Sequence, residues 1–193
     1  MQQQPECAYI LQKLRDELPQ HLTYHTLQHT MDVYHRCEEI AEKEGLGRKM
    51  LGLLLIAAVY HDAGYLYQRT GHEARSCEIA MDILPQYGYN DEDVKQVCRI
   101  IMATKLPQSP TSLAEQIICD ADLDYLGRDD FFETGEGLYL EMLHAKVINN
   151  RDEWDKIQIQ FLEQHHYFTA TSQQLRNAKK QENLNQLKAK INR

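Results

Sequence analysis

Histidine and aspartate side chains stand at the boundaries of apolar segments in three places along the sequence. His61 ends an apolar run and is followed at once by Asp62. Asp120 and Asp122 follow a second apolar segment, and His29 precedes both on an amphipathic stretch. Because burying a lone carboxylate is costly, each of these groups needs a partner. A metal ion would satisfy the doublet as a whole, and imidazole with carboxylate ligands suits divalent Mn, Fe, Co, Ni, Zn or Mg.

The doublet also has a simpler interpretation. His61 and Asp62 could cap a helix and bond each other, since buried polar groups usually find a hydrogen-bond partner. The doublet alone favours that interpretation, and the metal hypothesis gains its support from His29 and from the aspartates at 120 and 122. Asp122 is taken as the ligand and Asp120 as a cap or an outer partner, although the two could exchange roles.

The segments that must position these residues are helical nearly throughout. Apolar residues recur at helical spacing, proline and glycine interrupt the pattern, and no useful length alternates as a strand does. His25 and His29 are four residues apart and are expected on one helix face, with Asp91 as the N-cap of a later helix. The sequence predicts an all-α, single-domain helical bundle over residues 1–193, because no Pro/Gly/Ser linker divides it. The expected helices cover residues 7–18, 25–44, 48–60, 73–84, 94–104, 113–119, 131–147, 154–167 and 171–193.

The composition of the chain argues against several classes of function. The net charge is −8 and the 21 basic residues form no stripe, so a general nucleic-acid surface is not expected. The five cysteines are scattered, without a CxxC pair, and are interpreted as reduced thiols of a cytoplasmic protein. No signal peptide is recognised, and the longest apolar run, residues 51–60, is far shorter than the roughly 20 residues of a membrane span. A homo-oligomer is compatible with the sequence, which does not set the oligomeric state.

Four short motifs, in order, resemble those of the HD superfamily of metal-dependent phosphohydrolases. A lone HD dipeptide carries little weight, but four ordered motifs at helix boundaries are a fairly specific signal. The resemblance covers a core of about residues 20–130 and leaves the C-terminal helices, about residues 131–193, as an extension. The motifs are YHTLQHT (24–30), AAVYHDAG (57–64), GHEARS (71–76) and DADLDYLG (120–127).

The resemblance implies a metal site and a reaction. It assigns His29, His61, Asp62 and Asp122 as ligands of a divalent metal ion. It implies hydrolysis of a phosphate ester in a nucleotide or another small phosphorylated compound. A metal-bound water would be the nucleophile, and Asp62 would additionally orient that water.

Three more charged side chains are candidates for the rest of the chemistry. The leaving group and the remaining phosphate charge need an acid or a cation. His72 is the second catalytic candidate, while Arg75 and Lys105 are the substrate-binding candidates. For His72 and Lys105 the alternative is an ordinary solvated surface residue.

One departure from the family pattern concerns the helix expected over residues 94–104. Many relatives with two metals carry further histidines there, whereas this helix ends with Ala103, Thr104 and Lys105. A second metal is therefore not assumed, and the subset that oxidises substrates with two irons is not favoured. The missing histidine keeps open a second function, a non-catalytic metal-binding HD module with a regulatory or protein-interaction role.

Overall fold

The computed structural model describes residues 4–191, and its regular secondary structure over that range is entirely helical. The all-α prediction is confirmed. Three short 3₁₀ turns join the α-helices at Ala63–Leu66, Leu84–Tyr87 and Asp124–Gly127. The α-helices are α1 (Pro5–Glu17), α2 (Leu27–Lys43), α3 (Arg48–Tyr60), α4 (His72–Ile83), α5 (Asp91–Ala103), α6 (Leu113–Asp122), α7 (Phe131–His144), α8 (Arg151–Gln164) and α9 (Ala170–Ile191).

Helix α3 lies at the centre of the first hydrophobic core. Residues 53–60, LLLIAAVY, are all buried, and a helix without a polar face is typical of one enclosed on every side. Helices α2, α5 and α6 pack against it. Because α3 ends at Tyr60, its burial carries the following His61 and Asp62 into the interior.

The C-terminal helices form a second apolar cluster. Buried carboxylates link these helices to the helices that precede them in the chain. Phe131 of α7, Leu162 of α8 and Leu184 of α9 belong to that cluster. Asp124, in the turn after α6, accepts two hydrogen bonds from the guanidinium of Arg176 on α9, at 2.7 and 3.0 Å. The predicted C-terminal helical extension is therefore present, while the division of the chain into domains stays a prediction.

The starts of two helices differ from the sequence prediction. Helix α2 begins at Leu27 because the side chain of Thr26 accepts a hydrogen bond from the backbone N–H of His29 at 3.3 Å and caps the helix. His25 lies before this cap, so the expectation that it shares a helix face with His29 is wrong. Asn90 replaces Asp91 as the cap of α5, because its side chain accepts from two backbone N–H groups at 3.0 Å.

Helix ends differ as well. Helix α6 continues to Asp122 instead of ending near residue 119, so both of its aspartates lie in its last turn. Helix α7 stops at His144, and Asn150 caps α8 by accepting from the backbone N–H of Glu153 at 3.0 Å. The predicted end of the last helix, at residues 192–193, lies outside the described residues.

Two expectations from composition can be compared with the structure. Between residues 4 and 191 no helix combines the length and the apolar character that a membrane crossing requires. The five cysteines are free thiols, and all but Cys98 are buried. The cytoplasmic location and the homo-oligomer stay predictions.

Candidate metal centre

Four side chains from three separate segments of the sequence meet where the ends of α3 and α6 approach the first turn of α2. Ligand atoms of His29, His61 and Asp122 all lie within 4.8 Å of one another. The Nε2 atoms of His29 and His61 are 3.1 and 3.5 Å from Oδ1 of Asp122. Oδ2 of Asp62 is 3.2 Å from Nε2 of His61 and 3.4 Å from Nε2 of His29. The structure therefore brings together all four residues of the predicted ligand set.

The hydrogen bonding of His61 leaves its inner nitrogen without a partner. Its Nδ1 lies 2.8 Å from the carbonyl oxygen of Ala58, which can only accept, so Nδ1 carries the proton and donates it. Nε2 of His61 and Oδ2 of Asp62 are buried, and neither has a hydrogen-bond partner among residues 4–191. Two facing lone pairs repel each other unless a proton or a metal cation lies between them. This donor set fits a divalent metal ion.

The histidines and aspartates of the cluster stabilise one another's charged forms. Burial lowers the pKa of His61, but the carboxylates of Asp62 and Asp122 outweigh it and raise that pKa well above its usual value. Burial raises the pKa of Asp62, yet His61 and His72 hold it well below its usual range. Burial also raises the pKa of Asp122, but His29 and His61 lower that pKa overall. The site therefore favours a positive charge at its centre.

A serine on α4 holds the backbone around the doublet. The hydroxyl of Ser76 donates to the carbonyl oxygen of His61 at 2.7 Å and accepts from the backbone N–H of Gly64 at 2.8 Å. Gly64 permits a close approach, because a Cβ there would lie 2.0 Å from the carbonyl oxygen of His72. This contact fixes the start of α4 next to the doublet.

His72 lies beside Asp62 as a result. Its Nε2 is 3.4 Å from Oδ1 of Asp62, and its Nδ1 donates to the carbonyl oxygen of Arg69 at 2.9 Å. The two carboxylate oxygens of Asp62 thus face different groups. Oδ2 faces the ligand cluster, while Oδ1 faces His72.

The two aspartates of α6 have different partners. Asp120 is fully buried, and its carboxylate accepts from the backbone N–H groups of Phe168 and Thr169, both at 2.8 Å, and from the Thr169 hydroxyl at 2.6 Å. Burial raises the pKa of Asp120 despite these bonds. Residues two apart on a helix do not share a face, so Asp122 alone is left to face His29. The C-terminal segment therefore engages Asp120 and leaves Asp122 beside the two histidines.

A cavity of about 430 Å³ opens beside the cluster, and three of the remaining candidates can be placed relative to it. Asp62, His72 and Lys105 are among its lining residues. Arg75 is not: its guanidinium bonds Glu78 one turn further along α4 and lies 4.5 Å from the centre of the Tyr67 ring. The structure therefore does not bring Arg75 to the cavity.

Tyr65 and Arg69 in the cavity wall, and Glu141 behind it, are residues that the sequence did not single out. The Tyr65 ring stacks between His25 and His72, with ring centres 4.2 Å apart on both sides. The Tyr65 hydroxyl lies 3.1 Å from Nε2 of His25, whose Nδ1 is 2.7 Å from the Glu141 carboxylate. Glu141 lies three residues after Leu138 in an apolar helix, where a carboxylate without a partner is costly, so a signal was present. Arg69 lies in a loop without a motif and gave none.

An all-α protein with a partly buried cluster of two histidines and two aspartates is the class that this geometry defines. Residues 26–124 match the HD domain family, and the chain belongs to this family. An uncharacterized protein of Clostridium beijerinckii is 31% identical over 90 residues, which are 45% of this chain and 57% of that protein. The chain therefore spans less than two thirds of that relative.

Two solved structures are similar in fold. One, described as a predicted HD superfamily hydrolase from an uncultured Thermotogales bacterium, has a TM-score of 0.64 and 22% identity, over 99% of this chain and 94% of that one. The other, from Lactobacillus plantarum, has a TM-score of 0.69 and 19% identity, over 100% and 99% of the two chains. At these identities the likeness shows the fold alone.

Proposed function

We propose that the protein is a metal-dependent phosphohydrolase that cleaves a phosphate ester of a nucleotide or another small phosphorylated compound. Its metal ligands in this proposal are His29, His61, Asp62 and Asp122. The observation that carries it is the pair of buried, unpartnered atoms, Nε2 of His61 and Oδ2 of Asp62, beside an open cavity. Membership of the HD family and a structural neighbour described as a predicted hydrolase support this class of reaction.

The chain's own groups account for the handling of protons in this proposal. A divalent ion held by the cluster would lower the pKa of a bound water and neutralise phosphoryl oxygens. Asp62 turns Oδ1 away from the cluster and toward His72, so this oxygen can accept a hydrogen bond from the attacking water and orient it. Asp62 therefore combines a ligand oxygen with an orienting oxygen.

His72 is the proposed proton donor. Burial lowers its pKa, but Asp62 raises it above the usual value, so this carboxylate stabilises the protonated ring. Because Nδ1 is engaged by the Arg69 carbonyl, Nε2 is the atom that can donate to the leaving oxygen. Lys105 is exposed and lines the cavity, where its ammonium can bind the phosphate.

A non-catalytic HD module is the competing function. It requires a metal enclosed by protein ligands, without a position for water or substrate. The cavity lined by Asp62 and Asp122 favours catalysis over this alternative. An oxygenase with two irons is disfavoured because no histidine stands at 103–105.

A substrate panel with several metals tests the proposal. Protein stripped of metal is reloaded with Mn²⁺, Fe²⁺, Co²⁺, Ni²⁺, Zn²⁺ or Mg²⁺ and mixed with phosphomonoesters, cyclic nucleotides and dNTPs. We expect metal-dependent phosphate release that falls at least about a hundredfold in His61→Ala and Asp62→Ala. His144→Ala, at an exposed position, is the control. Absence of release with every metal would favour the non-catalytic module, and a mixed-iron spectroscopic signal would favour an oxygenase.

A further inference from the structure

The cavity beside the metal centre is lined by two chemically distinct groups of residues. One group is polar and includes Asp62, Asp122 and the imidazoles of His25 and His72. The other group is apolar and lies largely on α7 and α8, which are outside the matched family region. This group includes Phe131, Leu138, Met142, Trp154, Ile157 and Phe161.

The apolar residues of α7 and α8 offer few partners for polar groups of a ligand. Gln158 of α8 contributes an amide there, and none of the hydrogen bonds found within residues 4–191 engages its side chain in another contact. A sugar or a base edge enclosed against these residues would leave several donors and acceptors unpaired, each at a cost. An alkyl or aromatic group would instead gain free energy by leaving water.

The charges at the cavity fit a small anionic head group. Arg69 and Lys105 are the Lys and Arg side chains that line it, both are exposed, and neither forms an ion pair within the described range. With a divalent ion at the cluster, this set matches one phosphoryl group better than a triphosphate chain, whose further charges would meet Glu73 and the apolar wall.

We propose that the cavity binds a phosphate ester of an apolar alcohol, with the phosphoryl group beside Asp62 and the alkyl or aryl group against α7 and α8. This inference rests on the proposed function and names its substrate class. In the reaction, the oxygen of water bonds to phosphorus, the bond between phosphorus and the alcohol oxygen breaks, and that oxygen takes up a proton. The products are inorganic phosphate and the free alcohol.

Binding can be measured without turnover, because Trp154 is the single tryptophan of the chain and lines the cavity. Its fluorescence is followed while the metal-free and the metal-loaded protein are titrated with hexylphosphonate and with methylphosphonate, neither of which has a hydrolysable ester. We expect hexylphosphonate to bind at least about twentyfold more tightly, because its additional methylene groups are buried. Equal affinity for the two phosphonates would overturn the proposal.

Two variants locate the binding. Ile157 of α8 lines the cavity and is 39% exposed, while Leu140 of α7 is 45% exposed and is not among the lining residues. Both exposures are high enough that a glutamine is tolerated at either position. We expect Ile157→Gln to weaken hexylphosphonate binding about fivefold and to leave methylphosphonate unchanged, with no effect of Leu140→Gln. Equal effects of the two variants would contradict the assignment.

Measurements of turnover distinguish a failure of this inference from a failure of the proposed function. The metal-loaded protein is assayed for kcat/KM with hexyl phosphate, glycerol phosphate and a nucleoside monophosphate. A preference of at least tenfold for hexyl phosphate supports both proposals. Tight hexylphosphonate binding without hydrolysis of any ester supports the apolar subsite and refutes the phosphohydrolase. Hydrolysis that favours the nucleotide or glycerol phosphate keeps the phosphohydrolase and overturns the apolar substrate.

Discussion

The Glu141 carboxylate accepts a hydrogen bond from Nδ1 of His25 at 2.7 Å, across 116 positions of the sequence. The same carboxylate accepts from the backbone N–H groups of Tyr24 and His25 at 2.5 and 2.8 Å. Burial raises the pKa of Glu141, but these bonds lower it overall, so the carboxylate is ionised at neutral pH. A residue of the C-terminal extension therefore fixes the segment that leads into His29.

Removal of this carboxylate should destabilise the fold. Glu141→Ala leaves a buried N–H group, a partly buried one and an imidazole without their acceptor, and we expect a loss of about 3 kcal/mol in the free energy of unfolding. Glu136→Ala on the same helix removes an exposed ion pair with Arg151 and should cost less than about 1 kcal/mol. Urea denaturation of both variants measures the difference. Similar midpoints would show that the contacts of Glu141 contribute little.

A divalent metal should stabilise the protein through the doublet. At a metal concentration of about 100 times Kd, binding to the native state alone should raise Tm by roughly 5–10 °C. His61→Ala and Asp62→Ala remove donors of the cluster, so we expect shifts of less than about 2 °C. Thermal denaturation with and without a chelator measures these shifts, with His144→Ala as a control that keeps the full shift. An unchanged response of His61→Ala would remove that residue from the ligand set.

Substitutions of the two aspartates of α6 should have different effects, one on the stability of the fold and the other on the affinity for the metal. Asp120→Ala removes the acceptor of the Phe168 and Thr169 N–H groups, and we expect a loss of about 3 kcal/mol with the metal-induced shift in Tm retained. Asp122→Asn keeps the size of the side chain, but its metal Kd should rise at least about tenfold because a charged donor is lost. Calorimetry with the metal and urea denaturation of each variant test this pair. The reverse pattern would make Asp120 the ligand.

His165 should make the protein less stable in acid. Burial, with a smaller effect of Lys180, lowers its pKa from the usual 6.5 to about 3. The unfolded chain therefore binds a proton between these values that the folded chain does not. This contribution destabilises the fold as pH falls below about 6.5, by about 1–2 kcal/mol between pH 7 and pH 5.

Substitution of this histidine should flatten the pH dependence. In His165→Gln the difference between the urea midpoints at pH 7 and pH 5 should shrink relative to the unsubstituted protein, because no imidazole remains to take up the proton. His166→Gln, at the exposed neighbouring position, should keep the full difference. The same pH dependence in both variants would show that a group other than His165 causes the sensitivity to acid.

Several features of the site were accessible from local sequence. The apolar run 53–60 fixed α3 as a buried helix, and its burial required a partner for the doublet that follows. The bounds of α3, Arg48–Tyr60, agree with the prediction, whereas α2 starts two residues late because the cap at Thr26 was overlooked. The HD motifs between residues 24 and 127 then connected the doublet with His29 and Asp122, and the match to residues 26–124 confirms the family.

The sequence by itself determined the helical class, the family and the four polar residues that converge. The class follows from periodicity, which depends on residues a few positions apart, whereas the family and the four residues follow from the resemblance of four short motifs to those of the HD superfamily. Tertiary structure alone decided that Asp120 bonds residues 168–169 and that Glu141 holds His25. The partner of a buried polar group depends on which distant segment packs against it, and spacing along the chain does not encode that contact.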